Sequence, residues 1–331
     1  MERVVSGIRP TGNLHLGNYF GAVRGFLEMQ HEYDCFFFIA DWHSLTTHPH
    51  PGDIVRGANT MLAEYLACGL DPNKVTIYRQ SDVPEVLELY LYLNMNAYLG
   101  ELERTTSFKD KARQQPNNVN AGLLTYPSLM AADILIHKAV KVPVGKDQEQ
   151  NMEMARRFAR RFNTIYQTEY FTEPASWHFG DKAIKIPGLD GSGKMGKSEG
   201  NAIYLIDDKN TLTKKVKRAV TDGGPTEPNS TMPEPIANLF TLLKIASSEE
   251  TYQHYLTAYN DCSIRYGDLK AQLAADLVAL TAPIRERILE LSSDQEFLNK
   301  VAREGAERAQ ESARKTLEEV RHIIGFMPTI H

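Results

Sequence analysis

The first eighty residues alternate between short apolar runs and amphipathic segments. The runs Arg3–Ile8, Cys35–Asp41 and Lys74–Gln80 predict buried strands, because short β-branched and aromatic stretches bounded by turn residues are typical of strands. Segments from about Gly17 to Gln30 and from about Asp53 to Cys68 predict the helices between them. This alternation predicts an α/β fold with a Rossmann-like, doubly wound parallel sheet.

The segment after the third predicted strand is apolar on nearly all sides. Asp82 is predicted to cap a helix that has Pro84 in its first turn and continues through Leu87–Met95. A helix that is apolar all round has to be buried, either inside the protein or against a second copy of the chain.

The middle of the chain combines a polar stretch with further elements. Residues 109–120 are polar and predict a mobile loop. A helix at Tyr126–Ala139, a strand at Val140–Gly145 and another helix over residues 147–162 are predicted to follow.

The last third predicts helices only. Leucines and isoleucines from Leu269 to Leu291 recur at four-three spacing around a predicted kink at Pro283, and a second such series runs from Ala302 to Ile324 with a capping Gly325. A chain of 331 residues exceeds the roughly 250 to 300 at which a single core stops growing. We therefore expect a nucleotide-binding catalytic domain at residues 1–206, with a helical insertion at about 100–185, and a helical domain at 207–331.

Composition excludes several classes of protein. The chain is 42% apolar and 24% charged with a net charge of −5, which is ordinary for a globular enzyme. Its three cysteines are far apart and form no Cys-x-x-Cys pair, so neither a disulfide framework nor a zinc site is expected. No apolar run reaches the ~18 residues of a membrane span, and the chain opens directly into its first strand, so we expect no membrane association and a cytoplasmic location.

Two basic clusters stand out against the negative net charge. One contains Arg156, Arg157, Arg160 and Arg161; the other contains Lys209, Lys214, Lys215, Lys217 and Arg218. Either cluster could meet nucleic-acid phosphates, or simply form a solvated helix face.

The stretch "RPTGNLHLGNYFGAV", Arg9–Val23, is a predicted strand-to-helix turn. In a parallel sheet such a turn lies at the ligand-binding edge, and the helix that follows points its positive end there. Gly12 and Gly17 allow a ligand to approach the backbone, and His15 lies where a phosphate would bind. A structural histidine in a glycine-rich connection is the alternative.

A second glycine-rich stretch, "GLDGSGKMGKS", spans Gly188–Ser198. Its last eight residues match the P-loop pattern G-x-x-x-x-G-K-S, which requires a helix to begin at once. Gly200 and Asn201 oppose a helix, and the residues after them predict a strand. The better interpretation is a flexible loop on which two lysines, Lys194 and Lys197, close over a polyphosphate.

These two stretches carry a family resemblance. "HLGN", His15–Asn18, resembles the HIGH signature of class I aminoacyl-tRNA synthetases, and "KMGKS", Lys194–Ser198, resembles their KMSKS signature. The blocks "GELERTTSFKDK", "AGLLTYPSLMAADIL" and "VPVGKDQEQ" are similar to those of bacterial-type tryptophanyl-tRNA synthetases, along essentially the whole chain. Asn18 replaces the second histidine, and Gly196 replaces the serine of KMSKS, which removes one potential phosphate contact.

The resemblance implies site residues. Catalytic roles fall to His15, Asn18, Lys194 and Lys197. ATP would be held by Arg9, Pro10, Thr11, Gly17 and Asn18 in the first turn, by Gly145, Lys146, Asp147 and Ile186 around ribose and adenine, and by Lys194, Met195, Gly196, Lys197 and Ser198 over the phosphates. The tryptophan pocket would comprise Asp133, Val5, His43, Tyr126, Met130 and Gln148.

The resemblance also implies a reaction and its partners. L-Tryptophan would react with ATP to give tryptophanyl-adenylate and pyrophosphate, and the aminoacyl group would pass to tRNA(Trp). Mg²⁺ would be coordinated by the nucleotide phosphates, and the protein would provide no metal-binding cluster of its own. The enzyme would be a homodimer, and residues 207–331 would bind the tRNA anticodon.

Asp133 is the residue expected to select the amino acid. Indole offers one hydrogen-bond donor, and "LMAADILI" supplies one carboxylate within an apolar helix. A surface aspartate is the alternative, and a tyrosine hydroxyl could also donate to this carboxylate, so the chemistry alone leaves a tyrosyl-tRNA synthetase open. His43 could equally be a structural histidine. The rivals from other classes are a P-loop NTPase and a non-catalytic nucleic-acid-binding homologue.

Overall fold

The computed structural model describes residues 1–177, 185–197 and 199–327. Five strands form one parallel sheet in the order β3-β2-β1-β4-β5. The strands are β1 (Arg3–Ile8), β2 (Asp34–Ile39), β3 (Thr76–Arg79), β4 (Lys141–Pro143) and β5 (Ala175–Trp177). This confirms the doubly wound α/β fold. The second strand ends at Ile39, before its predicted end, because Asp41 already begins a helix.

Helices cover both faces of the sheet. They are α1 (Leu16–Asn18), α2 (Arg24–Met29), α3 (Asp41–Ser44), α4 (Pro51–Ala67), α5 (Glu85–Met95), α6 (Leu99–Leu102), α7 (Thr106–Gln114), α8 (Ala121–Leu124), α9 (Tyr126–Leu135), α10 (Glu149–Ile165), α11 (Lys209–Lys217), α12 (Glu234–Ala246), α13 (Glu249–Asn260), α14 (Tyr266–Ser293) and α15 (Gln295–Ile324). A π-helical segment, Tyr19–Val23, joins α1 to α2, and 3-10 turns lie at Leu45–Thr47, Gln80–Asp82 and Lys146–Gln148.

The sheet separates two apolar cores. Val4, Phe37 and Ile77 face a core shared with α4 and the helices α11–α14. Val5 and Phe38 face the other, which is shared with α5, α9, α10 and α15. Within the described ranges, none of the helices has the length and apolar character that a membrane span needs.

Helix α5 differs from its prediction at its start and on its surface. It begins at Glu85 behind Pro84, because Asp82 belongs to the preceding 3-10 turn and does not cap it. Its buried side is internal, whereas Leu87, Leu91 and Met95 are exposed to solvent. Internal packing therefore accounts for only one face of this apolar helix.

The predicted mobile loop at 109–120 is wrong for its first half. Helix α7 runs to Gln114, since lysine, alanine, arginine and glutamine favour helices, and it ends before Pro116. The second half is fastened to one carbonyl oxygen: the side-chain amides of Gln115, Asn118 and Asn120 all donate to the carbonyl oxygen of Thr46, at 3.1–3.3 Å.

The last helix returns to the sheet. Helix α15 passes so close to β3 that a Cβ on Gly305 would lie 1.7 Å from the carbonyl oxygen of Ile77. Further along, Arg314 pairs with Glu85 of α5 at 2.9 Å. Gly325 ends the helix in a left-handed conformation, as predicted.

Candidate active site

The predicted site residues follow the carboxyl ends of the strands. The first turn follows β1, His43 follows β2, and the turn that contains Gly145 follows β4. The crossovers diverge between β1 and β4, where strand order reverses. Ligands bind at such switch points in open parallel sheets.

His15 caps the helix that follows the first turn. Its Nδ1 accepts a hydrogen bond from the backbone N–H of Asn18 at 3.3 Å, and Asn18 Oδ1 accepts one from the backbone N–H of His15 at 3.2 Å. The two side chains thus hold each other and the start of the helix in place.

His15 is uncharged at neutral pH. Burial, together with the nearby charges of Lys197 and Lys194, lowers its pKa from 6.5 to about 4. Because Nδ1 accepts the Asn18 bond, the proton of the neutral ring lies on Nε2. His15 is therefore a fixed hydrogen-bond donor and not a cation.

Gly17 is required by the histidine itself. A Cβ at this position would lie 2.8 Å from the imidazole Cε1 and Nδ1 atoms of His15. The glycine thus protects the capping ring, a reason that differs from the predicted approach of a ligand. Among the other first-turn residues, Pro10 is buried, Arg9 is half-buried and Thr11 is exposed.

The loop with the two lysines is anchored by its apolar residue. Met195 is buried, and its backbone N–H donates to the carbonyl oxygen of Ile186 at 2.8 Å. Lys194 on one side of it is exposed, and Lys197 on the other is half-buried. Ser198 lies outside the described residues.

Asn201 shapes this loop and was missed by sequence reasoning. Its buried Oδ1 accepts from the backbone N–H of Gly196 at 2.9 Å, and its Nδ2 donates to Asp190 Oδ1 at 2.9 Å and to the Lys194 carbonyl oxygen at 3.2 Å. One amide therefore sets the path of the backbone at both lysines. The sequence offered only an asparagine that opposes a helix.

The two motifs meet in space although they are about 180 residues apart. Lys197 Nζ donates to the carbonyl oxygen of Gly12 at 2.7 Å. Beyond the loop, His15 forms a single antiparallel bridge with Tyr204, so the strand predicted there is wrong. No helix begins in the described residues of 185–208, and the P-loop interpretation therefore fails on context.

Glu64 is a second residue that sequence reasoning missed. It belongs to α4, is fully buried, and accepts a hydrogen bond from the backbone N–H of Leu14 at 2.9 Å. Leu14 immediately precedes His15. A lone carboxylate within the apolar run "TMLAEYLA" was the signal that could have found it.

Asp133 lies at the centre of a buried polar group. Gln80 Nε2 lies 2.8 and 3.0 Å from its two oxygens, and His43 Nε2 lies 2.8 Å from Oδ2. Burial raises the pKa of Asp133, and the bonds to His43 and Gln80 oppose that rise. A carboxylate has about four lone-pair sites, so Oδ1 can still accept one more donor. The surface-aspartate alternative is excluded, and Gln80 is a further residue that the sequence did not indicate.

The rest of the predicted tryptophan pocket surrounds this group. The ring centroids of Tyr126 and His43 are 4.3 Å apart, and the charges of Arg9, Asp133 and Asp147 all act on the Tyr126 hydroxyl. His43 Nδ1 is buried and has no hydrogen-bond partner among the described residues. Tyr126 is thus close enough to Arg9 of the first turn and to Asp133 to feel both charges.

The remaining predicted residues lie on β1, on α9 and in the turn after β4. Val5 is buried in β1, and Met130 is half-buried on α9. Gln148 donates to Asp147 at 3.1 Å and accepts from Asn151 at 2.9 Å. A Cβ on Gly145 would lie 2.5 Å from Asp147 Oδ1. The side chain of Lys146 lies outside the described residues.

The first basic cluster pairs with carboxylates. Arg156 and Arg157 contact Glu153, Arg160 contacts Glu173, and Arg161 contacts Glu101. The second cluster presents four exposed side chains, Lys209, Lys214, Lys217 and Arg218, whereas Lys215 pairs with Asp207 at 2.6 Å. Only the second cluster directs most of its charges to solvent.

Comparisons with known proteins identify the family that the two sequence motifs resemble. Residues 1–282 match the family model of class I tRNA synthetases for tryptophan and tyrosine. The chain is 76% identical over 326 residues to the tryptophan–tRNA ligase of Porphyromonas gingivalis, covering 98% of this chain and 100% of that protein. Among solved structures, the Campylobacter jejuni tryptophanyl-tRNA synthetase complexed with ADP and tryptophan matches with a TM-score of 0.88 and 34% identity, covering 98% and 100% of the two chains. The tyrosyl-tRNA synthetase of Archaeoglobus fulgidus, at 20% identity and a TM-score of 0.66 over 87% and 90%, shares the fold.

The parallel sheet, the two glycine-rich loops that meet at its edge and the family match over residues 1–282 define a class I aminoacyl-tRNA synthetase. Full-length identity of 76% decides between the two amino acids that this family serves. The chain belongs to the tryptophan–tRNA ligases. It is an enzyme that uses ATP to join L-tryptophan to tRNA(Trp), and the tyrosine alternative is less supported.

Proposed function

We propose that the first turn, the loop of residues 194–198 and the pocket around Asp133 together form the site where tryptophan is activated. The observation that carries this proposal is the bond from Lys197 Nζ to the Gly12 carbonyl oxygen. It brings a mobile cation to the turn whose helix N-terminus suits a phosphate. Tyr126 supports the link to Asp133, because the charges of Arg9 in the first turn and of Asp133 both act on its hydroxyl.

The first turn holds the nucleotide through neutral donors. His15 presents Nε2–H in a fixed direction, because Nδ1 is engaged by Asn18. Backbone around Arg9, Pro10, Thr11 and Gly17 approaches the phosphates, and Asn18 acts chiefly by fixing the histidine. Gly145, Lys146, Asp147 and Ile186 flank the ribose and adenine.

The two lysines supply the charge that changes during the reaction. The tryptophan carboxylate attacks the α-phosphorus of ATP, and negative charge builds up on the departing pyrophosphate. Lys194 and Lys197 neutralise this charge, and Met195, Gly196 and Ser198 complete the ATP-binding stretch proposed from the motif. Mg²⁺ binds together with ATP and is coordinated by the nucleotide phosphates, since it prefers oxygen ligands and keeps several waters.

Asp133 selects the amino acid. Its free lone pair accepts the indole N–H, while Val5, His43, Tyr126, Met130 and Gln148 enclose the ring. Phenylalanine would leave that buried acceptor unpaired, and a site built to bind a donor rejects analogues that lack one.

Assembly and tRNA binding use other surfaces. The exposed apolar side of α5, formed by Leu87, Leu91 and Met95, pairs with a second copy in a homodimer. Residues 207–331 bind the anticodon part of tRNA(Trp), and the exposed lysines of α11 contact its phosphates. The cytoplasm, which contains both ATP and tRNA, is the compartment of the reaction.

The test is amino-acid-dependent exchange of labelled pyrophosphate into ATP. Only a reversible adenylate step couples the two, so exchange should require tryptophan and be weak with tyrosine and nearly absent with phenylalanine. Lys194→Ala and Lys197→Ala should each abolish most exchange, and Lys209→Ala, an exposed lysine outside the site, should leave it unchanged. Normal exchange in both loop variants would refute the assignment of the site.

A further inference from the structure

Glu64 is a buried carboxyl group with one unused oxygen. It lies on α4 between apolar neighbours and is 0% exposed. Oε2 accepts the backbone N–H of Leu14 at 2.9 Å, whereas Oε1 is buried and has no hydrogen-bond partner among the described residues. Burying a carboxyl group in this way is unfavourable, and an apolar side chain would fill the same space without that cost.

The cation that acts on Glu64 is Lys197. Burial raises the pKa of Glu64 to about 7, against the lowering effects of the Leu14 bond and the Lys197 charge. Burial lowers the pKa of Lys197, and the Glu64 charge opposes that effect. Each group therefore favours the charged form of the other.

Three other titratable groups near the pair are uncharged at neutral pH. Tyr65 and Cys68, on the same helix, are buried groups whose pKa values are raised, so both remain neutral. The pKa of His15 is lowered to about 4, so His15 is neutral as well, and the positive charge of Arg9 also acts on Lys197. Between pH 6 and pH 8, Glu64 is the group in this set whose charge changes.

We propose that Glu64 is a positioning residue of the active site: it holds the Leu14 backbone that leads into His15, and its charge keeps the Lys197 ammonium beside the first turn. The geometry joins three chain segments at one point, α4, the first turn and the lysine loop. The inference rests on the proposed role of Lys197 in the reaction. It adds a residue that touches neither ATP nor tryptophan.

The experiment compares wild type and Glu64→Gln in pyrophosphate exchange at pH 6 and pH 8. Glutamine keeps an oxygen for the Leu14 N–H and removes the charge. We expect kcat/KM for ATP to fall about tenfold at pH 8, because glutamine lacks the charge that acts on Lys197, and the two proteins to be nearly equal at pH 6, where Glu64 is itself protonated. The KM for tryptophan should not change.

A second comparison uses the Lys197→Ala background. If Glu64 acts through Lys197, Glu64→Gln should have no further effect at pH 8 in that background. Should Lys197→Ala itself have no effect, the proposed role of the lysine fails. Two outcomes would overturn the inference about Glu64 while leaving the role of Lys197 intact. In both, Lys197→Ala is impaired. In the first, Glu64→Gln matches wild type at pH 8; in the second, it is impaired equally at both pH values.

Folding is controlled separately. Tyr65→Phe removes a neighbouring buried hydroxyl that has no partner among the described residues, so it perturbs the same helix without changing charge. It should retain wild-type activity at both pH values. Thermal unfolding and tryptophan binding, measured for every variant, identify any loss that comes from misfolding.

Discussion

Asp133→Asn tests how the pocket recognises tryptophan. The substitution keeps the shape of the side chain and removes its charge. In the wild-type chain, Gln80 and His43 approach the carboxylate at 2.8–3.0 Å, and the indole N–H would be a third donor in the proposed complex. An asparagine brings an NH₂ group into this set of donors, so one of them loses its acceptor.

The expected loss follows from the hydrogen bonds. A hydrogen bond to a charged group contributes about 1.5 to 3 kcal/mol, and a neutral one about 0.5 to 1.5. Adding the cost of the displaced donor, we expect kcat/KM for tryptophan to fall by about 1.5 to 3 kcal/mol, or roughly 10- to 150-fold. The KM for ATP should stay the same, since Asp133 makes no proposed contact with the nucleotide.

The assay is tryptophan-dependent pyrophosphate exchange with Asp41→Asn as the matched control. Asp41 is also a buried aspartate, but it accepts hydrogen bonds from Ser81 and Trp42 and belongs to the structural link between β2 and β3. The control should lower the melting temperature more than it changes the KM for tryptophan. Wild-type kinetics in Asp133→Asn would refute the reasoning, and so would an equal loss in both variants.

Four further outcomes are expected. Lys194→Ala and Lys197→Ala should each lower kcat for adenylate formation by about 10² with little change in tryptophan affinity, and near-normal turnover would remove them from the mechanism. Light scattering should give twice the 37.3 kDa of one chain, and Leu91→Glu should give a single chain; a monomeric wild type would contradict the dimer. Affinity for tRNA should fall about tenfold or more between 50 and 200 mM salt while adenylate formation changes little, and a salt-independent affinity would argue against phosphate contacts. Gly305→Ala should destabilise the fold by about 3 kcal/mol in chemical unfolding because its Cβ meets the backbone of β3, whereas Gly267→Ala, with open space around it, should not.

Four of the five strands were predictable because parallel strands buried on both faces read as apolar runs, whereas β5, which has no buried residue, was not predicted. The start of α5 was not, since Asp82 has the composition of a helix cap but belongs to the 3-10 turn that follows β3, and Pro84 takes the N-cap position of α5. Helix α7 was missed because most of its side chains are polar and none of its residues is buried, so it lacks the apolar periodicity that predicts a helix. Its helix-favouring residues were the only local signal.

The residues of the candidate site also divide into those that the sequence indicated and those that it did not. His15 and Lys197 were predicted from their loops, where glycine-rich chemistry is visible in the sequence. Gln80 and Asn201 were not, because a polar side chain shows its burial only after the chain has folded around it. The role of each depends on a partner far away in sequence, Asp133 for Gln80 and the lysine loop for Asn201.

Asp133 and Glu64 show what a lone acidic residue in an apolar helix can indicate. Both are the single carboxylate of an apolar run, and both are fully or almost fully buried. Burial raises the pKa of each, so each is retained against an unfavourable free energy of burial. They differ in their partners: two side chains hold Asp133, for which we propose a contact with the substrate, whereas the backbone N–H of Leu14 and the charge of Lys197 act on Glu64. The sequence pattern therefore identifies a buried acceptor, and only its partners decide whether it recognises the substrate or positions the groups that do.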